Sequence, residues 1–341
     1  MKETFQDIIG AGAAVEHLKN ALRTGAVSHA YILYGDKGTG RRLLAGVFAA
    51  ALQCETRQEN PQTVDRCGTC PSCVRWESDA HPDIITVTHA KKSKSDKRTD
   101  LSVDDIRRVV SDVPVRPYGS PWKIYILPDA DRMTPQAQNA LLKTLEEPPA
   151  YAVLILLASS LSSFLPTVLS RCVTLKINPL PAGKVEQYLQ EKLHQEPGRA
   201  RILSRFAAGS IGRAVELSES PDFAQLYGET VDLLRNLPHK DSYELAQFAK
   251  EYGRDRERMP EVLSLMRSWY RDVLVYRETR QTARLIFAGE VQYIIEAAMR
   301  AQEEGLAQVF AAFDTAERQM KYNTNLELIL EVLLLDLRKY G

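Results

Sequence analysis

Residues 35–42, Gly-Asp-Lys-Gly-Thr-Gly-Arg-Arg, trace the outline of a phosphate-binding loop whose working side chains are replaced. The pattern G-x-x-x-x-G-K-[ST] needs a Lys ammonium to reach the β- and γ-phosphates and a Ser or Thr hydroxyl to hold Mg²⁺. Gly35 and Gly40 keep the frame, with Gly38 between them, but Arg41 and Arg42 stand at the Lys and Ser/Thr positions. A forked guanidinium is a poor substitute for a compact ammonium. It also has no lone pair to offer a metal ion. The chain reads as a nucleotide-switch domain that has stopped switching.

The rest of the first half agrees with the fold that such a loop belongs to. Short apolar runs at Ala30–Leu33, Asp83–Val87, Trp122–Leu127, Ala152–Ala158 and Cys172–Ile177 alternate with helical patterns, among them Arg42–Gln53 and a helix seeded at Ser102. This alternation predicts a parallel sheet with helices on both faces and a ligand edge at the carboxyl ends of the strands, where the 35–42 loop lies. After Pro179-Leu180-Pro181 the pattern turns helical, first as a small unit to Ser220 and then as amphipathic helices. The last of these, Leu326–Leu337, carries Leu326, Ile329, Leu330, Leu333, Leu334 and Leu337 at helical spacing, a stripe that fits its own domain's core better than a subunit interface.

A second substitution concerns the metal. Ile124-Tyr125-Ile126-Leu127 runs into Pro128-Asp129-Ala130-Asp131. In working switch ATPases such a strand ends in an Asp that helps hold Mg²⁺. Here Pro128 stands at that position and Asp129 at the next, so Asp129 and Asp131 read as turn or capping carboxylates. Four of the five cysteines, Cys54, Cys67, Cys70 and Cys73, form C-x₁₂-C-x₂-C-x₂-C. Four thiolates at this spacing suit a tetrahedral, closed and therefore structural zinc site, with turns at Gly68 and Pro71.

Bulk composition narrows the function classes. Lys+Arg and Asp+Glu balance at 44 each, which gives no global basic field for autonomous DNA binding. No apolar run approaches the roughly 20 residues of a membrane span. The N-terminal residues lack a signal-peptide core, and clustered rather than paired cysteines point to a reducing cytoplasm.

The stretch from Asn139 to Pro149, Asn-Ala-Leu-Leu-Lys-Thr-Leu-Glu-Glu-Pro-Pro, closely resembles the clamp-loader family of AAA+ proteins. So do Phe5–Ile9, His29–Leu33 and Ser170-Arg171-Cys172. The likeness is strong from residue 1 to about 215 and weaker over 323–337. It implies an AAA+ α/β domain over 1–177 with a four-cysteine zinc module at 54–73, a small helical lid over 178–218 and a helical collar over 219–341. It implies that Arg171, with Ser170 and Cys172 beside it, is an arginine finger acting in trans on a neighbour's ATP. Gly209-Ser210-Ile211-Gly212-Arg213 resembles the family's second sensor and Ser159-Ser160 its first. Gly35, Gly38, Gly40, Arg41, Arg42, Asp129 and Arg213 would line this chain's own degenerate nucleotide pocket, whose ability to bind without hydrolysis stays open.

The family's motor members keep the loop Lys, the Thr and the metal-binding Asp. The resemblance therefore implies a non-motor subunit of the bacterial DNA polymerase III clamp loader, with structural zinc of its own and ATP and Mg²⁺ in a neighbouring subunit. Expected partners are the tau/gamma ATPase subunits, the delta subunit, the sliding clamp and, through the complex, primed DNA. Two rivals stand beside this reading. One is an active clamp-loader ATPase with an atypical loop using Arg41. The other is a zinc-dependent nucleic-acid-binding module over residues 54–98, which include the basic stretch His89–Arg98.

Overall fold

The structure is a computed structural model and describes residues 3–60, 63–88, 101–256, 258–320, 322 and 325–340. The chain divides into two compact units, Met1–Leu180 and Pro181–Gly341.

The first unit contains strands β1 (Ala30–Tyr34), β2 (Ile84–Thr86), β3 (Lys123–Leu127), β4 (Ala152–Ala158) and β5 (Val173–Lys176). All pair in parallel in the order β2-β3-β4-β1-β5. Each lies where the apolar runs place it. The helices are α1 (Gly12–Thr24), α2 (Arg41–Gln53), α3 (Glu55–Glu59), α4 (Pro71–Glu77), α5 (Val103–Asp112), α6 (Pro135–Glu146) and α7 (Pro166–Leu169).

Side-chain alternation along each strand builds two cores. Tyr31, Leu33, Ile124, Ile126, Val153, Ile155 and Leu157 join one apolar cluster with Leu18 and Leu22 of α1 and Leu44 and Phe48 of α2. The intervening residues, including Ile32, Tyr125, Leu127, Leu154 and Leu156, join another with Ile106 of α5 and Leu141 and Leu145 of α6. Because both faces are covered, every residue of β3 and β4 is buried. This is the parallel α/β architecture, with helices on both faces of the sheet, that the sequence predicts.

Local signals set the helix ends. The Ser102 hydroxyl accepts the Asp105 amide and the Asp105 carboxylate accepts the Ser102 amide, a reciprocal cap at the start of α5. Thr134 caps α6 by accepting the Ala137 amide at 3.3 Å, with Pro135 at the first helical position. Pro148-Pro149 follows its end.

The described residues of the second unit form α-helices and short 3₁₀ turns only: α8 (Ala182–Leu193), α9 (Pro197–Phe206), α10 (Ile211–Glu219), α11 (Pro221–Asn236), α12 (Ser242–Tyr252), α13 (Met259–Thr279), α14 (Val291–Arg300), α15 (Glu303–Gln319) and α16 (Leu326–Tyr340). Ile329, Leu330, Leu333, Leu334 and Leu337 of α16 are buried, and the helix packs on α12 and α15 of its own unit. Leu326 is only half-buried, whereas Leu328 and Val332 on the outer face are exposed. No helix among the described residues is long and apolar enough to cross a membrane.

The sheet's carboxyl edge is closed at Gly35. Its amide donates to Ala158 O at 3.1 Å, and the Ile177 amide donates to Tyr34 O at 2.7 Å, so β4 and β5 flank the exit of β1. A Cβ on Gly35 would overlap the Ile177 carbonyl oxygen, part of a backbone that cannot swing aside. Gly35→Ala is expected to destabilise the first unit by about 1–3 kcal/mol, the usual cost of overpacking. Urea unfolding followed by circular dichroism, compared with Gly40→Ala, checks this. A Cβ at Gly40 meets nothing within 4 Å, though its φ of 89° brings backbone strain of its own.

Candidate functional site

The phosphate loop keeps its backbone shape. Gly38 and Gly40 have φ of 80° and 89°, the left-handed region open to glycine. The Thr39 hydroxyl turns inward to donate to Asp36 O at 2.7 Å. Helix α2 then starts without a side-chain cap. At the Lys position, Arg41 reaches across to β4 and its Nη1 lies 3.4 Å from Ser159 Oγ. A cavity of about 410 Å³ at this edge is lined by Gly35, Asp36, Ser159, Ser160, Lys176 and Asn178, among others. The loop and Ser159 thus converge at the carboxyl edge as the strand order requires.

Of the two carboxylates that follow β3, Asp131 is committed to the fold. Asp131 Oδ2 accepts the Ser159 amide at 2.9 Å, which ties the β3 turn to the end of β4. Asp129 sits at φ 46° ahead of a short 3₁₀ turn over Ala130–Arg132. Pro128 brings no ligand atom. Asp131 behaves as the turn carboxylate expected from the sequence, whereas the Asp129 side chain makes no capping hydrogen bond to the turn that it precedes.

Arg171 lies between α7 and β5, its side chain 35% exposed. Nη1 donates to Thr167 O at 2.9 Å and to Ser170 Oγ at 3.2 Å. Nη2 lies 2.9 Å from Glu146 Oε1 at the end of α6. Two motifs that are separate in the sequence, Asn139–Pro149 and Ser170-Arg171-Cys172, therefore meet through one ion pair. Burial pushes the Cys172 thiol up to about 12, so it stays protonated and serves as packing. Arg213 belongs to the second unit. Ser210 caps α10 by accepting the Arg213 amide at 3.0 Å, and Arg213 Nη2 is 3.4 Å from Glu261 Oε1 of α13.

The four cysteines come together as their spacing predicts. Their Sγ atoms all lie within 4.8 Å of one another, and those of Cys67 and Cys73 are 4.0 Å apart. Tetrahedral Zn–S bonds of about 2.3 Å put sulfurs roughly 3.8 Å apart, so the donor set fits that ion. Amides point at the sulfurs: Cys67 N to Cys54 Sγ at 3.3 Å, Thr69 N and Cys70 N to Cys67 Sγ at 3.4 and 3.3 Å, and Cys73 N to Cys70 Sγ at 3.5 Å. Such donors favour thiolate over thiol. Burial opposes ionisation of Cys67, but hydrogen bonds from Thr56, Thr69 and the Cys70 amide outweigh it and bring the thiol down to about 5. Burial pushes the Cys54 and Cys73 thiols up, so a bound cation is what would hold all four as thiolates. Gly68 at φ 77° makes the knuckle, and Pro71 opens α4.

Sequence reasoning missed what this module holds. Asp65 Oδ2 accepts the Phe5 amide at 3.0 Å, and Arg66 Nε donates to Glu3 O at 3.2 Å while its Nη1 pairs with Glu77 at 2.9 Å. The buried Arg57 donates to Ala51 O and Leu22 O, which closes the ends of α2 and α1. The cysteine segment thus anchors the beginning of the chain and two core helices. Glu146 falls inside the Asn139–Pro149 motif with no role legible there, because its partner lies 25 positions away and no pattern links them. The basic stretch His89–Arg98 lies outside the described residues.

Comparison with known proteins agrees with this geometry. A family model described as DNA polymerase III, delta subunit, matches residues 10–181, and one described as its C terminal part matches residues 225–339. The DNA polymerase III subunit delta' of Bacillus subtilis (strain 168) is 27% identical over 325 residues, 94% of each chain. The tau subunit of Salmonella typhimurium is 31% identical over 222 residues, 64% of this chain but 33% of that one; the match thus spans about a third of that relative's length. Among solved structures, a gamma subunit-related protein of Thermotoga maritima aligns with a TM-score of 0.40 at 19% identity, over 95% of this chain and 99% of that one. With one family model on more than half of its residues and a second on the helical unit, the chain belongs to the clamp-loader subunit family of DNA polymerase III.

Proposed function

We propose that this chain is a non-motor, delta-prime-type subunit of the clamp loader, which completes the ATP site of a neighbouring tau/gamma-type subunit through Arg171. The observation that carries the reading is an asymmetry. The chain lacks all three groups that would handle its own Mg²⁺-triphosphate, with Arg41, Arg42 and Pro128 in their places, yet retains an arginine in the family's boundary motif. A guanidinium supplied from outside stabilises the charge that develops on a transferring γ-phosphoryl group. The Arg41–Ser159 contact adds support, since it turns the side chain at the Lys position toward protein. Full-length similarity to a delta' relative favours the same reading.

In this account the loop 35–42, Asp129 and Arg213 keep the shape of a nucleotide pocket without its chemistry. Residues 178–218 act as the lid and 219–341 as the collar, assembled with tau/gamma and delta subunits around a sliding clamp and primed DNA in the cytoplasm. Cys54, Cys67, Cys70 and Cys73 hold one structural zinc ion. The ion's chemistry is that of a cross-link: it clamps the turn at Gly68 to the end of α2, and through Asp65 and Arg66 it keeps the Glu3–Phe5 segment on the core.

Reconstitution with tau/gamma-type and delta subunits tests the finger. Arg171→Ala should leave assembly and thermal stability unchanged and slow hydrolysis at the neighbour's ATP site by about 10³-fold or more, the low end for removal of such a cation, with clamp loading slowed accordingly. Normal loading would remove the proposed role. Elemental analysis should find one zinc per chain, and Cys73→Ser should lose the metal and expose the N-terminal segment to limited proteolysis. Metal-free wild-type protein with full protease resistance would refute the cross-link.

A further inference from the structure

We infer that Glu146 is a positioning residue for Arg171, fixing the guanidinium in the orientation it presents to the neighbour's triphosphate; this rests on the reading of Arg171 as a trans-acting finger. The inference starts from how the fork is held. Nη1 uses its two N–H groups on Thr167 O and Ser170 Oγ, at 2.9 and 3.2 Å, and Nη2 lies 2.9 Å from Glu146 Oε1. A guanidinium has five N–H donors. The Nε–H and the second Nη2–H are left for a ligand, on a side chain 35% exposed.

Stability does not account for the pair. Its partners are 35% and 49% exposed, and exposed ion pairs contribute little to folding. Glu146 is also the last residue of α6 and Glu147 its C-cap, both at the negative end of the helix dipole, where carboxylates are unfavourable. A carboxylate in that place is bad for the helix and good for a cation that must be aimed. The scaffold beneath it is rigid. Ala137, Leu141 and Leu145 of α6 are buried at 0%, 0% and 2% exposure, and Gln138 ties the helix to the α7 approach through Ser163 O and the Leu165 amide. Glu146 and the Thr167 carbonyl thus hold the fork from two elements that share one core. Holding a reacting charge in place is where an ion pair of small energy has a large kinetic effect.

The test uses the complete assembly with tau/gamma-type and delta subunits, reading clamp- and DNA-dependent ATP hydrolysis. Glu146→Ala should lower kcat at the affected site by up to about 10²-fold, the scale on which misplacement of a catalytic group acts, with KM for ATP unchanged. Glu146→Gln, which keeps an acceptor oxygen at the same reach, should recover most of the rate. On an Arg171→Ala background, Glu146→Ala should add nothing. A normal rate for Glu146→Ala beside a slow Arg171→Ala overturns this inference alone. An equal further loss on the Arg171→Ala background assigns Glu146 a structural role and overturns it too. A normal rate for Arg171→Ala removes both the finger and its positioning.

Discussion

Burial of both faces of a five-stranded parallel sheet is the constraint on which the rest of the first unit depends. With β4 covered on every side, all five strands end at one edge, and the segments that leave them are forced together there. Gly35, Asp131, Ser159 and Ile177 meet because β1, β3, β4 and β5 run parallel in one register. The glycine at 35 is required by the carbonyl of Ile177, whether or not a nucleotide ever binds. A nucleotide-loop backbone can therefore outlive its chemistry: the sheet needs the shape, and only hydrolysis needs the Lys, the hydroxyl and the metal-binding acid.

The same architecture is compatible with the proposed role, in which one chain is catalytically silent toward its own pocket and serves another. Arg171 stands on the α7–β5 connection, held by α6 and α7, and owes nothing to the loop at 35–42 for its placement. Loss of the cis groups leaves that scaffold intact. The proposed role asks of such a subunit only a fixed surface with one charged donor, and the four-cysteine cluster at the far end of α2 lies where a metal cross-link would add to that rigidity.

Much of this was legible in the sequence, for reasons specific to each element. The strands were readable because both-face burial writes continuous apolar runs, as in Ala152–Ala158. Helices α5 and α6 announced themselves through Ser102 with Asp105 and through Thr134-Pro135, which are local signals. The cysteine cluster was readable because metal geometry fixes ligand spacing. What stayed hidden is long-range pairing among ordinary charged residues. Nothing local links Glu146 to Arg171, Asp131 to the Ser159 amide, or Asp65 and Arg66 to the first residues. The wide apolar stripe of the last helix was readable as buried, but that it packs on α12 and α15 of its own unit required the fold.

The central claim is that this polypeptide lends a guanidinium to a triphosphate held elsewhere and cannot split one itself. Its most direct test is steady-state release of phosphate from Mg²⁺-ATP by the isolated, purified chain. The account predicts no turnover above buffer, and none after Arg41→Ala. Metal-dependent hydrolysis at rates typical of motor subunits, abolished by Arg41→Ala, would contradict it.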